Sequence, residues 1–122
     1  MKEYKRAERV GDLILREIST IIISEIKDPR VSMVTITDVK ASDDLRHANV
    51  FFSVIGDEKR WKEASAGLKS SKGFIKRELG KRLDIRYIPE LKFIEDRTME
   101  RGDRIDRVLA DIKDDWDEED NQ

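Results

Sequence analysis

The sequence has 122 residues, enough for one domain with a single hydrophobic core. It contains no cysteine, which excludes disulfide bonds, thiolate zinc sites and cysteine nucleophiles. No apolar run approaches the roughly 18 residues that would indicate a membrane span. The first residues are charged and amphipathic rather than apolar, so we expect a cytoplasmic protein without membrane attachment.

The net charge of −2 conceals an uneven distribution along the chain. Residues 111–122 carry seven acidic residues and one basic residue, which leaves 24 basic against 20 acidic residues elsewhere. A mildly basic body with an acidic tail fits a nucleic-acid-binding protein, but it also fits an ordinary soluble protein with a charged end. We expect a single domain over residues 1–113 and an acidic, disordered tail over residues 114–122.

A first helix is predicted from Arg6 to Lys27, where apolar residues recur mostly at three- and four-residue steps. It should end at Asp28, because the residue before Pro29 is displaced from the α region. The residues predicted to face the core are Val10, Leu13, Ile14, Ile18, Ile21, Ile22 and Ile26.

Two strands are predicted next, over residues 34–39 and 47–55, with a turn at residues 41–44 between them. In the first strand apolar residues alternate with threonine. In the second strand one face is apolar, and it consists of Ala48, Val50, Phe52 and Val54.

A long helical segment follows, from about Asp57 to Leu83, and it is interrupted by the small-residue break Ser71-Lys72-Gly73. Glycine inside a helix costs about 1 kcal/mol relative to alanine, so the break predicts a kink between two helices. Beyond it we expect a short strand that contains Leu91 and Phe93. A last helix is predicted from about Thr98 to Asp114.

The predicted order is α-β-β-α-α-β plus a C-terminal helix, which indicates an α+β domain with helices on one face of a three-stranded sheet. This order matches the type II K-homology topology. Most domains of that type clamp a nucleic-acid backbone with a GXXG loop. No GXXG occurs in this chain, and Ser71-Lys72-Gly73 occupies its place.

Basic residues surround the predicted kink and continue beyond it, where they would neutralise phosphates of a nucleic acid. A second patch would combine Arg30 with Arg46. The alternative interpretation is a solvated helical face without a ligand. The residues of the first cluster are Lys69, Lys72, Lys76, Arg77, Lys81, Arg82 and Arg86.

Four segments resemble, in order, the ribosome-binding factor A family of bacterial assembly factors for the small ribosomal subunit. They are Lys27-Asp28-Pro29-Arg30-Val31; Val34-Thr35-Ile36-Thr37-Asp38-Val39 with Asp44-Leu45 and Ala48; Gly73-Phe74-Ile75-Lys76-Arg77 with Leu79-Gly80; and Ile88-Pro89-Glu90-Leu91-Lys92-Phe93 with Asp96. The family usually has Ala-x-Gly at the interhelical break, whereas this chain has Ser71-Lys72-Gly73.

The resemblance implies a non-catalytic, monomeric RNA-binding protein that docks on the immature small (30S) subunit, where its partners are 16S rRNA and neighbouring ribosomal proteins. It also implies assistance in late 16S rRNA maturation, including processing near the 5′ end. No cofactor or metal is expected. No strand carries paired exposed aromatic residues, so recognition should depend on RNA backbone and shape.

Two other functions compete with RNA binding. A protein–protein adaptor would use the kinked helix and the acidic tail as partner surfaces. A small hydrolase would use the single histidine, His47, as a general base next to Ser42 and Asp44, although those two residues are better explained as turn formers.

Overall fold

The computed structural model describes residues 2–98, with side chains from residue 6 onward. Within this range lie two α-helices, α1 (Lys2–Ser24) and α2 (Glu58–Arg82), and three strands, β1 (Val34–Ala41), β2 (His47–Val54) and β3 (Glu90–Glu95). A short 3-10 helix, Pro29–Val31, connects α1 to β1. None of the helices described is long and apolar enough to cross a membrane.

The predicted C-terminal helix beyond Thr98 and the acidic tail lie outside the described residues. The domain boundary at residue 113 therefore stays a prediction.

The three strands form one sheet in the order β1-β2-β3. β1 and β2 form an antiparallel hairpin, whereas β3 pairs in parallel with β2 on its other side. A parallel pair needs a crossover connection, and α2 supplies it. The order of α1, the β1–β2 hairpin, α2 and the parallel strand β3 confirms the predicted α+β class with K-homology-like topology. The buried sheet residues lie on the face that packs against the helices.

The core side of β2 is also as predicted. Its side chains alternate along the strand, and Val50 and Phe52 have no solvent exposure at all. Phe52 packs near Trp61 of α2, with 6.0 Å between their ring centroids. The central strand therefore anchors α2 to the sheet through an aromatic pair.

The two helices predicted around Gly73 form one continuous helix, Glu58–Arg82. Its N-terminus is capped by Asp57, whose carboxylate accepts a hydrogen bond from the backbone N–H of Arg60 at 3.1 Å. Gly73 is exposed, and a Cβ atom built there would lie 3.6 Å from Nη1 of Arg77, an ordinary contact distance. Sterics therefore do not require glycine at this position, and a bend at Ser71–Gly73 stays a prediction.

Helix α1 ends at Ser24, three residues before the predicted end at Lys27. The hydroxyl groups of Thr20 and Ser24 donate to backbone carbonyls four residues earlier, an arrangement that competes with regular helix geometry. One predicted core residue was wrong, since Leu13 is 41% exposed.

A β-bulge interrupts β1 between Ile36 and Asp38, leaving Thr37 without a partner on β2. Ile36 and Val39 are both buried, although strict alternation would place them on opposite faces. The extra residue shifts the register by one and turns Val39 into the core. The sequence pattern predicted the strand but not the bulge.

Candidate nucleic-acid interface

A groove of about 600 Å³ is lined by residues of α2, β2 and β3. Its helical wall belongs to a face of α2 on which polar and basic residues recur every three or four positions. Its floor is the β2–β3 pair. The polar and charged residues that line it include His47, Asn49, Ser65, Lys69, Lys72 and Lys92.

Two of the predicted lysines bind the same carboxylate. Nζ of Lys76 lies 2.8 Å from Oε1 of Glu90, and Nζ of Lys72 lies 3.0 Å from Oε2. The hydrogen bonds from Lys76 and Lys72 lower the pKa of Glu90 from its ordinary 4.5 to about 2. We call this three-residue arrangement the Glu90 clasp.

Lys72 also makes a second contact with β3. Its ammonium group donates to the backbone carbonyl of Leu91 at 3.2 Å. Leu91 is buried and its carbonyl lies on the side of β3 that has no neighbouring strand. The clasp therefore fastens the edge strand to α2 and satisfies one of its unpaired backbone groups.

Three further predicted residues are engaged in ion pairs away from the groove. Arg30 forms a forked pair with Asp28, with Nη2 at 2.7 Å from Oδ2, and these hydrogen bonds lower the pKa of Asp28. Arg82 lies 3.4 Å from Glu17, which joins α2 to α1. The third pair joins Lys81 and Glu78 at 3.2 Å.

Arg30 also packs on a different side of α2. A Cβ atom at Gly67 would lie 3.0 Å from Cβ of Arg30. Gly67 is two residues from both Ser65 and Lys69, so it points away from the groove. The structure therefore does not bring Arg30 together with the lysines of the groove.

The other four predicted residues form no ion pair within residues 6–98. They are Lys69, Arg77, Arg46 and Arg86. Lys69 lines the groove, whereas Arg46 and Arg86 line a separate groove described below. Arg86 lies over the ring of Tyr87, 5.4 Å from its centroid. None of the four is therefore neutralised by a direct ion pair within residues 6–98, although the charge of Arg46 contributes to the lowered pKa of Asp44.

Sequence reasoning missed Lys92, which is exposed on β3 and lines the groove. The sequence pattern of β3 could have identified Lys92. Side chains alternate along a strand, so Lys92 must point outward if Leu91 and Phe93 point inward. Lys92 forms no ion pair within residues 6–98, so the lining of the groove contains a second cation without a paired carboxylate, in addition to Lys69.

The arrangement around His47 argues against a Ser-His-Asp triad. The Ser42 hydroxyl donates directly to Asp44 at 2.6 Å, and the backbone N–H of His47 donates to the Ser42 oxygen at 3.1 Å. In a triad the imidazole ring stands between serine and aspartate. Here the three residues build a turn, and their bonds lower the pKa of Asp44, with the Ser42 hydroxyl as the main cause.

The three-stranded sheet, the α2 crossover and the lysine-lined groove define a K-homology-like α+β domain. A family model described as Ribosome-binding factor A matches residues 6–109, and the chain belongs to this family.

Curated relatives carry the same description. A ribosome-binding factor A from Syntrophobacter fumaroxidans is 49% identical over 112 residues, which cover 90% of this chain and 96% of that protein. One from Microcystis aeruginosa is 48% identical over 123 residues and covers 99% and 96% of the two chains. The similarity thus extends along nearly the whole sequence.

Solved structures have the same fold. The crystal structure of ribosome-binding factor A from Thermus thermophilus has a TM-score of 0.68 at 22% identity, covering 75% of this chain and 97% of the other. A solution structure of a putative ribosome binding factor A from Thermotoga maritima has a TM-score of 0.66 at 29% identity, with coverages of 76% and 89%.

A third similar structure is a Thermus thermophilus ribosome binding factor A homology model that was fitted into a cryo-EM map of a 30S complex with that factor. Its TM-score is 0.63 at 22% identity, and the match covers 74% of this chain and 94% of the other.

Proposed function

We propose that this protein is a non-catalytic assembly factor that binds the free or immature 30S subunit in the cytoplasm through 16S rRNA. The observation that carries the proposal is the lysine-lined groove between α2 and β3 in a chain of the ribosome-binding factor A family. A relative of the same fold was fitted into the map of a 30S complex, which supports the same partner.

Its action follows from binding alone. A factor that binds one conformer of the rRNA more tightly than another shifts the population toward that conformer. We propose that this shift assists late maturation of 16S rRNA, including processing near the 5′ end, while other proteins cut the RNA. No nucleophile or general base is needed for this role.

The basic residues divide into three groups in this proposal. Lys69, Lys92 and Arg77 contact phosphates directly, because no carboxylate neutralises them among the described residues. Lys72 and Lys76 contribute once Glu90 is displaced or hydrated. The ion-paired residues outside the groove add positive potential rather than direct contacts, and they are Arg30, Lys81 and Arg82.

The first experiment tests the partner. Tagged full-length protein is sedimented in a lysate through a sucrose gradient. We expect it to migrate with free small subunits and not with whole ribosomes. Recovery only at the top of the gradient would contradict the proposal.

The second experiment tests the surface. The double variant Lys69→Glu/Lys92→Glu inverts two charges in the groove, and we expect it to lower small-subunit affinity at least tenfold. Lys40→Glu/Lys59→Glu is the matched control, because it changes the net charge equally but lies outside the groove. An equal loss of small-subunit affinity in both double variants would indicate only a general charge effect. Unchanged affinity in both would exclude the groove as the RNA-binding surface.

The salt dependence separates RNA binding from an adaptor function. About five phosphate contacts give a steep linear fall of log affinity with log salt concentration, whereas a protein partner held by apolar contacts gives a shallow one. We expect the steep dependence for the wild type and a shallower slope for the groove variant.

A further inference from the structure

A second groove lies at the end of the sheet where β2 and β3 begin, and it has a volume of about 700 Å³. The turn between β1 and β2 forms one wall, and the segment that leads from α2 into β3 forms another. The residues that matter for its chemistry are Arg6, Asp43, Asp44, Arg46, Arg86 and Tyr87.

The most unusual feature of this groove is Tyr87, a large aromatic residue that is 72% exposed. Its neighbours hold it in place, since Ile88 is partly buried against the core and Pro89 is buried. The guanidinium carbon of Arg86 lies 5.4 Å from the centre of its ring. The ring is therefore presented to solvent from an anchored segment, with the Arg86 cation already placed over it.

The charges of the groove favour an anion. Arg6, Arg46 and Arg86 form no ion pair within residues 6–98, whereas the Asp44 carboxylate is occupied by the Ser42 hydroxyl at 2.6 Å and the backbone N–H of Arg46 at 3.0 Å. Asp43 is the other negative residue on the wall. The three arginines outnumber the two aspartates, and one aspartate serves mainly to hold the turn.

The two grooves adjoin each other. The backbone N–H of Glu90, which lines the first groove, donates to the carbonyl of Arg46, which lines the second, at 2.8 Å. The two grooves therefore meet at one backbone hydrogen bond between β3 and the residue that precedes β2.

We propose that this second groove binds an unpaired nucleotide of single-stranded RNA, with its base stacked on Tyr87 and its flanking phosphates on Arg46 and Arg86. The inference rests on the proposed RNA-binding function and names the form of RNA that this site selects. Every base has a π face, so stacking on tyrosine tolerates any sequence. Arginine matches phosphate because its planar fork donates two parallel hydrogen bonds.

The test uses full-length protein and two fluorescein-labelled RNAs, a single-stranded hexa-adenylate and a 12-base-pair duplex, with binding followed by anisotropy. We expect Tyr87→Ala to weaken hexa-adenylate binding about tenfold and Tyr87→Phe to leave it within about twofold, because phenylalanine keeps the stacking ring. Duplex binding should stay unchanged in both, since paired bases cannot stack on the ring.

Arg86→Gln provides an independent readout. Removal of one phosphate contact should reduce the salt slope for hexa-adenylate by about 1, whereas Tyr87→Ala should leave that slope unchanged. Equal melting temperatures for all variants would show that these exposed substitutions leave the fold intact.

The proposal would be overturned if Tyr87→Ala bound hexa-adenylate as tightly as the wild type does. It would also be overturned if the variant lost the same affinity for the duplex as for hexa-adenylate. Loss of small-subunit binding by Tyr87→Ala with unchanged binding of both RNAs would assign the surface to a protein partner instead. If the wild type sediments with small subunits but binds no hexa-adenylate, the stacking site is wrong and the proposed function stands. If the wild type neither sediments with small subunits nor binds hexa-adenylate, the stacking site and the proposed function are both wrong.

Discussion

Gly67 of α2 lies directly against Val31 of the 3-10 helix, so closely that a Cβ atom at position 67 would be 2.9 Å from Cγ1 of Val31. Val31 has no solvent exposure, so it has little room to move. The close approach holds the middle of α2 against the connection between α1 and β1. It identifies Gly67, rather than Gly73, as the glycine in α2 that packing requires.

Gly67→Ala should therefore destabilise the protein by about 1–3 kcal/mol, because the added methyl group overpacks a filled site. Gly73→Ala is the matched control in the same helix, and it should raise stability by up to about 1 kcal/mol because its Cβ has room. Urea denaturation of both variants measures the difference. Equal stability of the two variants would contradict the close packing.

Subunit binding by Gly73→Ala tests the predicted bend separately. Raised stability with weakened binding would support a functional bend at Ser71–Gly73. Raised stability with intact binding would make the glycine incidental to function.

The Glu90 clasp predicts a pH dependence of stability. Because Lys76 and Lys72 hold the pKa of Glu90 at about 2, below its ordinary 4.5, the ionised group stabilises the folded state above about pH 4.5. That contribution disappears as the pH falls from about 4.5 toward 2. We expect the free energy of unfolding of Glu90→Gln to vary less with pH in this window than that of the wild type.

Denaturant titrations at several pH values measure this change. Glu8→Gln, on the exposed side of α1, is the control for loss of a carboxylate outside the clasp. Parallel pH profiles for the wild type and Glu90→Gln would show that the clasp does not form in solution.

Glu90→Gln should also bind RNA more tightly at neutral pH. The substitution removes a negative charge that lies within 3.0 Å of two lysine ammonium groups, so both become available to phosphate. We expect several-fold higher affinity for a short RNA and a steeper salt slope. An affinity equal to that of the wild type would mean that RNA does not reach Lys72 and Lys76.

Reversing the charge of the two clasp lysines should lower the stability of the fold as well as the affinity for RNA. In Lys72→Glu/Lys76→Glu, two new carboxylates would face Glu90, and the hydrogen bond to the Leu91 carbonyl would be lost. We expect a lower melting temperature than for Lys69→Glu/Lys92→Glu, whose lysines have no ion pair within residues 6–98. The same melting temperature for the two double variants would remove the structural role assigned to the clasp.

Arg97 predicts a fluorescence change. Its guanidinium carbon lies 4.2 Å from the centre of the Trp61 ring, and the group also pairs with Glu58 on α2 and with Glu95 on β3. In a Trp116→Phe background, which leaves Trp61 as the only tryptophan, Arg97→Ala should shift the emission and lower thermal stability.

Arg97→Lys is the control, because it keeps the charge but loses the planar fork. We expect an intermediate stability for this variant. An emission spectrum unaffected by Arg97→Ala would show that the contact with the indole does not persist in solution.

The fold was largely predictable from the sequence because burial on one face imposes a period of two on strands and about 3.6 on helices. β2 illustrates this, since Val50 and Phe52 were placed in the core by alternation alone. The bulge at Thr37 was not predictable, because it depends on pairing with β2 rather than on local pattern. The close packing of Gly67 was missed for the same reason, since its partner Val31 lies far away in the sequence.

The candidate site was predictable only in outline. The spacing of Lys69, Lys72 and Lys76 placed them on one face of α2, and they lie beside the groove. The ion pairs of Lys72 and Lys76 depend on Glu90, which comes from β3. No spacing rule relates two segments that meet only through tertiary structure.

The parallel pairing of β3 with β2 has a consequence for the order of folding. His47 of β2 pairs with Glu90 of β3, and the whole of α2 lies between these two residues in the sequence. The β1–β2 hairpin, by contrast, joins segments that are neighbours in the sequence. Non-local pairings form later because the loop must first be closed at an entropic cost. On a translating ribosome the chain emerges N-terminus first, so we expect α1 and the hairpin to associate before the groove exists. Under the proposed function, we expect a nascent chain to engage rRNA only after its third strand has emerged and docked.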